Sequence, residues 1–140
     1  GLPTVAPGRS TVWALLQHRA TGIIVGAVST HMMPGGWSPS PAQRRWVPKI
    51  LKRWAAHERR ILNRQSWLAE RADVVITLGD INHPGTFAFT GDSRISTPGL
   101  VYIGVRHAKG VGITHTKAKA HKQNADHPSQ STVLTVRKAA

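Results

Sequence analysis

Val74-Val75-Ile76-Thr77-Leu78-Gly79-Asp80-Ile81-Asn82 is an apolar run that stops on a glycine and delivers a carboxylate and a carboxamide two residues apart. Continuous hydrophobicity over 73–79 reads as a strand buried on both faces, which needs a layer above it and a layer below. Polar groups at the ends of such strands collect along one sheet edge, where rigid elements hold them.

Upstream, Val12-Trp13-Ala14-Leu15-Leu16 and Ile23-Ile24-Val25-Gly26-Ala27-Val28-Ser29 flank a turn at Arg19-Ala20-Thr21-Gly22, so an antiparallel hairpin is predicted. The second run is apolar throughout and ends at Thr30-His31. After a Pro/Gly-rich loop, Ser40 as N-cap, Pro41 at the first helical position and Gln43 completing a capping box predict a helix start. Trp46, Ile50, Trp54, Ile61, Gln65 and Leu68 then recur at helical spacing, with Val47, Leu51 and Leu62 widening the stripe. Pro48 falls inside this pattern and should kink or restart the helix, because it removes a donor and crowds the preceding turn. The other helix face carries Arg44, Arg45, Lys49, Lys52, Arg53, Arg59, Arg60 and Arg64, either as a solvated face or as one turned to a polyanion.

Downstream, 84–98 reads as loop, 100–105 as a strand and 111–114 as a further short strand. The basic, polar stretch 115–130 reads as a loop around Asp126-His127, 131–136 as a final strand and 137–140 as a tail. Strands, one long helix, then strands again favour a layered mixed α/β (α+β) domain.

The 140 residues suit one domain, and a hydrophobic fraction of 40% argues against disorder throughout. The sequence begins at Gly1, which suggests a processed product, a domain cut from something longer or an incomplete reading frame. No apolar run is long enough to cross a bilayer, and the first 17 residues lack the pattern of a signal peptide. The absence of cysteine excludes disulfides, thiolate nucleophiles and cysteine-based zinc sites, and leaves the compartment open. With 19 Lys and Arg against 6 Asp and Glu, the net charge of +13 favours nucleic acid or another phosphate-rich partner.

Three strand-end groups stand in order: His31, Asp80-x-Asn82 and Asp126-His127. Together they supply what phosphoester cleavage requires. The carboxylates Asp80 and Asp126 suit Mg²⁺ or Mn²⁺, which prefer oxygen ligands. An imidazole moves protons near neutral pH, and an Asn amide orients and donates to an anionic oxygen. His83, next to Asn82, is a candidate supporting group; the remaining histidines, His18, His57, His107, His115 and His121, read as surface residues. Trp46, Trp54 and Trp67 read as core packing of the helix.

On these residues the chain resembles the C-terminal portion of the endonuclease/exonuclease/phosphatase family, the DNase I-like phosphoesterases. Val28-Ser29-Thr30-His31-Met32 is similar to the family's strand ending in Asn-Thr-His-Leu, and Leu78-Gly79-Asp80-Ile81-Asn82 to its Gly-Asp-Phe-Asn. Asn124-Ala125-Asp126-His127 with Thr132-Val133-Leu134 resembles its Ser-Asp-His and last strand. The resemblance runs over roughly residues 12 to 136 and divides the chain into an end segment at 1–11, a partial domain at 12–137 and a tail at 138–140.

The resemblance implies a layered sandwich of two packed β-sheets with outer helices, of which the N-terminal part is absent from this sequence. It implies a metal-dependent phosphoesterase, with His31, Asp80, Asn82 and His127 catalytic and with Asp80 and Asp126 toward Mg²⁺ or Mn²⁺. The charge narrows the expectation to an endonuclease or phosphodiesterase on nucleic acid, with Arg44, Arg45, Lys52 and Arg53 as backbone contacts. The pattern is departed from twice. No acidic residue precedes Glu58, where the family carries a metal-ligand Glu, and Val101 stands where the family has an Asp that pairs with the final His. A chain altered at these places can instead be a non-catalytic nucleic-acid-binding module, while the family's breadth leaves a small-molecule or lipid phosphatase as a further reading.

Overall fold

The computed structural model describes residues 10–32, 41, 44–81, 93–95, 101–121 and 129–139. Ser40, Gln43, Asn82, His83, Asp126 and His127 lie outside the described residues. The described part is a mixed α+β arrangement, mostly strands in several sheets with one helix. The strands are β1 Thr11–Gln17, β2 Ile24–His31, β3 Val74–Asp80, β4 Ser93–Arg94, β5 Val101–His107, β6 Val111–His115, β7 Lys119–His121, β8 Ser129–Ser131 and β9 Leu134–Lys138. A single 3-10 turn, Arg44–Trp46, leads into helix α1, Val47–Ala69.

The main sheet has the order β1-β2-β3-β5-β4. The first two strands form the expected antiparallel hairpin, its turn closed by Gly22 at φ 70 and by His18 Nδ1 against Thr21 Oγ1 at 2.8 Å. β2 and β3 run parallel, and α1 is the crossover between them, as a parallel pair requires. β5 then returns antiparallel to β3.

Helix α1 covers one face of this sheet. Ile61 and Leu68 are fully buried against Val28, Val75 and Tyr102. Gly26 makes this approach possible, because a Cβ there would sit 3.1 Å from the Leu68 Cβ. Gln65 Nε2 donates to Thr77 Oγ1 at 2.7 Å, and both residues are fully buried, so this polar contact between helix and sheet satisfies the amide donor away from water. On the opposite face Val74, Ile103 and Val105 pack with Ile113, Leu134 and Val136 of the antiparallel pair β6–β9. Each central strand thus alternates residues between two apolar layers, which is why 74–78 carries no polar interruption except Thr77. The β6–β9 pair leaves part of its face uncovered: Val12 and Leu16 on β1 and Leu78 on β3 are exposed.

Four sequence expectations are corrected. The helix does not start at Pro41, which lies in a turn; α-helix begins at Val47, with Pro48 in its first turn. Of the two outcomes at Pro48, restart prevails, since only in a first turn does the missing N–H cost nothing. Leu51, assigned to the widened apolar stripe, is exposed. Within 115–130, β7 and β8 pair as a ribbon, exposed along β7 and half-buried at Ser129 and Gln130, rather than forming a continuous loop. Its residues lack the apolar alternation by which a strand shows itself in sequence. The last strand begins at Leu134, because Thr132 and Val133 are engaged with Thr116 in a corner: Thr132 Oγ1 donates to the Thr116 carbonyl at 2.7 Å and Thr116 N to the Val133 carbonyl at 3.0 Å.

Candidate functional site

Parallel pairing of β2 with β3 puts Thr30 opposite Gly79 and His31 opposite Asp80. The main-chain N–H of Met32 donates to the Asp80 carbonyl at 2.8 Å, so the register is fixed one residue past the strand end. Residues in register on adjacent strands project to the same face. His31 Nε2 accordingly lies 3.6 Å from Asp80 Oδ2, an ion-pair distance that is longer than a hydrogen bond. The His31 side chain is 51% exposed and that of Asp80 21%, so the imidazole reaches solvent while the carboxylate sits half-recessed behind it. The pair lies on the face away from α1, in the same alternation that sends Val25 and Ile76 to that side.

Gly79 is what makes this edge possible. Its φ is 150, and a Cβ at that position would run into the Thr30 carbonyl. The glycine before Asp80 therefore lets β3 press against β2 where the His31 and Asp80 side chains come together. On the other side of Asp80 the register partner is Val101, so the row across the strand ends reads His31, Asp80, Val101.

Of the site residues expected from sequence, the structure brings His31 and Asp80 together; Asn82, Asp126 and His127 are outside the described residues. Among the described residues no group of three or more His, Asp or Glu gathers around one point, and this edge brings together one carboxylate and one imidazole. Arg44, Arg45, Lys52 and Arg53 are exposed along the first part of the helical segment.

Asp73, at the start of β3, is structural. Its Oδ2 accepts from Ile24 N at 2.8 Å and its Oδ1 meets Lys138 Nζ at 2.7 Å, tying the starts of β2 and β3 to the end of β9. The Ile24 hydrogen bond first, then the Lys138 ammonium, hold the Asp73 carboxyl below its ordinary range, against an opposing contribution from burial.

One histidine departs from the surface reading. His57 is 6% exposed and its Nε2 lies 2.8 Å from Thr11 Oγ1 and 3.4 Å from Thr30 Oγ1. The signal was present in its position: 57, 61, 65 and 68 fall on one helical stripe, and the three others on it are fully buried. No helix of the described residues is long and apolar enough to cross a membrane. No family model and no curated protein matches this chain.

Proposed function

We propose that the chain is a metal-dependent phosphoesterase of the DNase I-like type, acting as an endonuclease or phosphodiesterase on nucleic acid. The observation that carries the reading is the register-locked His31–Asp80 pair, 3.6 Å apart at the ends of adjacent parallel strands. The two strands are those whose sequences end in the Thr-His and Gly-Asp-x-Asn motifs, with Asn82 two residues beyond Asp80.

In this reading Asp80 orients the His31 imidazole, which faces solvent and moves a proton to or from the reacting oxygens. Asn82 and His127 contact the phosphate, and the +13 charge draws the polyanion in. Asp80 and Asp126 would hold Mg²⁺ or Mn²⁺, which supplies Lewis-acid stabilisation of phosphoryl charge when bound.

A plasmid-nicking assay with Mg²⁺, with and without EDTA, on wild type and Asp80→Ala tests the reading. Nicking that EDTA abolishes and the substitution reduces is the expected result; a wild type no faster than the mutant sinks it. A second reading, a non-catalytic nucleic-acid-binding module, is favoured by Val101 occupying the register position beside Asp80 where the resemblance calls for a carboxylate.

A further inference from the structure

A trough of about 580 Å³ lies between the edge strand β1 and helix α1, on the sheet face opposite the His31–Asp80 row. That volume is in the range of small-ligand sites. Thr11 and Trp13 line it from the strand, and His57, Arg60, Arg64 and Trp67 from the helix. The helical members recur at spacings of three and four, so they form one stripe about 15 Å long.

The rings hold the cations in place. Trp13 and Trp67 meet edge to face with centroids 5.2 Å apart. The Arg64 guanidinium lies 4.1 Å over Trp13 and 5.4 Å from the centroid of Trp67. Arg71 covers Trp67 from 4.1 Å. A stacked guanidinium keeps its in-plane N–H donors for another partner, and those donors match a phosphate bidentately. Among the described residues neither Arg60 nor Arg64 has a carboxylate partner. At one end, buried His57 is held by Thr11, and Thr11 pairs with Thr30, one residue before His31. The trough and the strand-end pair therefore share one end of the sheet.

We infer that this trough binds single-stranded nucleic acid, with Arg60 and Arg64 gripping backbone phosphate and an unpaired base packing against Trp13, which is 41% exposed. Phosphate forks beside aromatic rings are the combination a single strand needs, whereas an acidic peptide has no use for the rings. The choice of nucleic acid rests on the function proposed above.

The test is an anisotropy titration of fluorescein-labelled oligothymidylate with the full chain in EDTA, between about 50 and 200 mM salt. Working without metal keeps a failure of catalysis from registering here, and nicking by Asp80→Ala does not bear on it. Arg64→Ala is expected to weaken binding roughly tenfold and to lower the slope of log affinity against log salt by about one. Arg60→Gln, at an exposed position, carries the same expectation on slope. Arg64→Lys restores the slope without the full affinity, and Trp13→Ala weakens binding roughly tenfold at unchanged slope. Lys109→Ala, in the β5–β6 turn, stays within about twofold. Circular dichroism and urea midpoints separate misfolding from lost contacts. Arg64→Ala and Arg60→Gln variants that fold and bind like Lys109→Ala overturn the inference, as does polyglutamate binding as tightly as the oligonucleotide.

Discussion

Gly79 decides more than its size suggests. A methyl group there meets the Thr30 carbonyl, so Gly79→Ala forces β2 and β3 apart at the point where His31 and Asp80 meet. A urea titration is expected to show a loss of about 2–4 kcal/mol, combining backbone strain with overpacking. A midpoint unchanged from wild type contradicts the close approach. Asp73 gives a pH signature. Its folded-state carboxyl is held below the ordinary value, so ionisation favours the fold. The contribution is fully present above the unfolded carboxylate range, near about 4, and is lost as pH falls through the lower folded value. Asp73→Asn should lower the urea midpoint at neutral pH and flatten its fall in acid; parallel curves for both proteins would remove Asp73 from that role. Val101, beside Asp80 in register, is the residue at which sequence and chemistry disagree most. If a missing carboxylate limits the site, Val101→Asp raises the nicking rate over wild type, and an unchanged or lower rate assigns the limit elsewhere.

Helix α1 was legible from its period, and Ile61, Gln65 and Leu68 are buried where that period puts them. Its beginning was not, because Ser40, Pro41 and Gln43 make a locally consistent cap signal that competes with Pro48, and the proline's geometry prevails. Strands β2, β3 and β5 were legible because their apolar runs bury on two faces, and β1 because its apolar run precedes a turn, although most of its residues are exposed. The ribbon β7–β8 was not, since Lys119-Ala120-His121 and Ser129-Gln130-Ser131 are held by pairing rather than by apolar alternation. Both described strand-end residues, His31 and Asp80, were readable as motif. What sequence could not supply was the distance, which depends on the parallel register of two strands 49 residues apart, as in the His31–Asp80 pairing. At the helix–sheet contact two substitutions are informative. Leu68→Ala should cost about 2–5 kcal/mol, because the side chain is fully buried over Gly26. Thr77→Val, which leaves the Gln65 amide donor without its 2.7 Å acceptor, should cost about 1–3 kcal/mol. Equal midpoints to wild type in urea would mean that α1 does not rest on β3 as described.

At the scale of the molecule, among the described residues a helix and a two-stranded sheet sandwich a mixed central sheet, and the polar pair emerges at the end of its two parallel strands. The charge of +13 acts over the same scale: affinity for DNA should fall steeply with salt, and an affinity indifferent to salt contradicts a phosphate-directed surface. In the proposed phosphoesterase, His31 and Asp80 act as one catalytic unit. It is tested most directly by Mg²⁺-dependent plasmid-nicking rates of wild type, His31→Ala, Asp80→Ala and the double variant. Groups that work together are strongly non-additive. The expected result is that each single substitution removes most of the rate and the double variant is scarcely slower than either. Undiminished rates in the single variants, or losses that multiply in the double variant, contradict it.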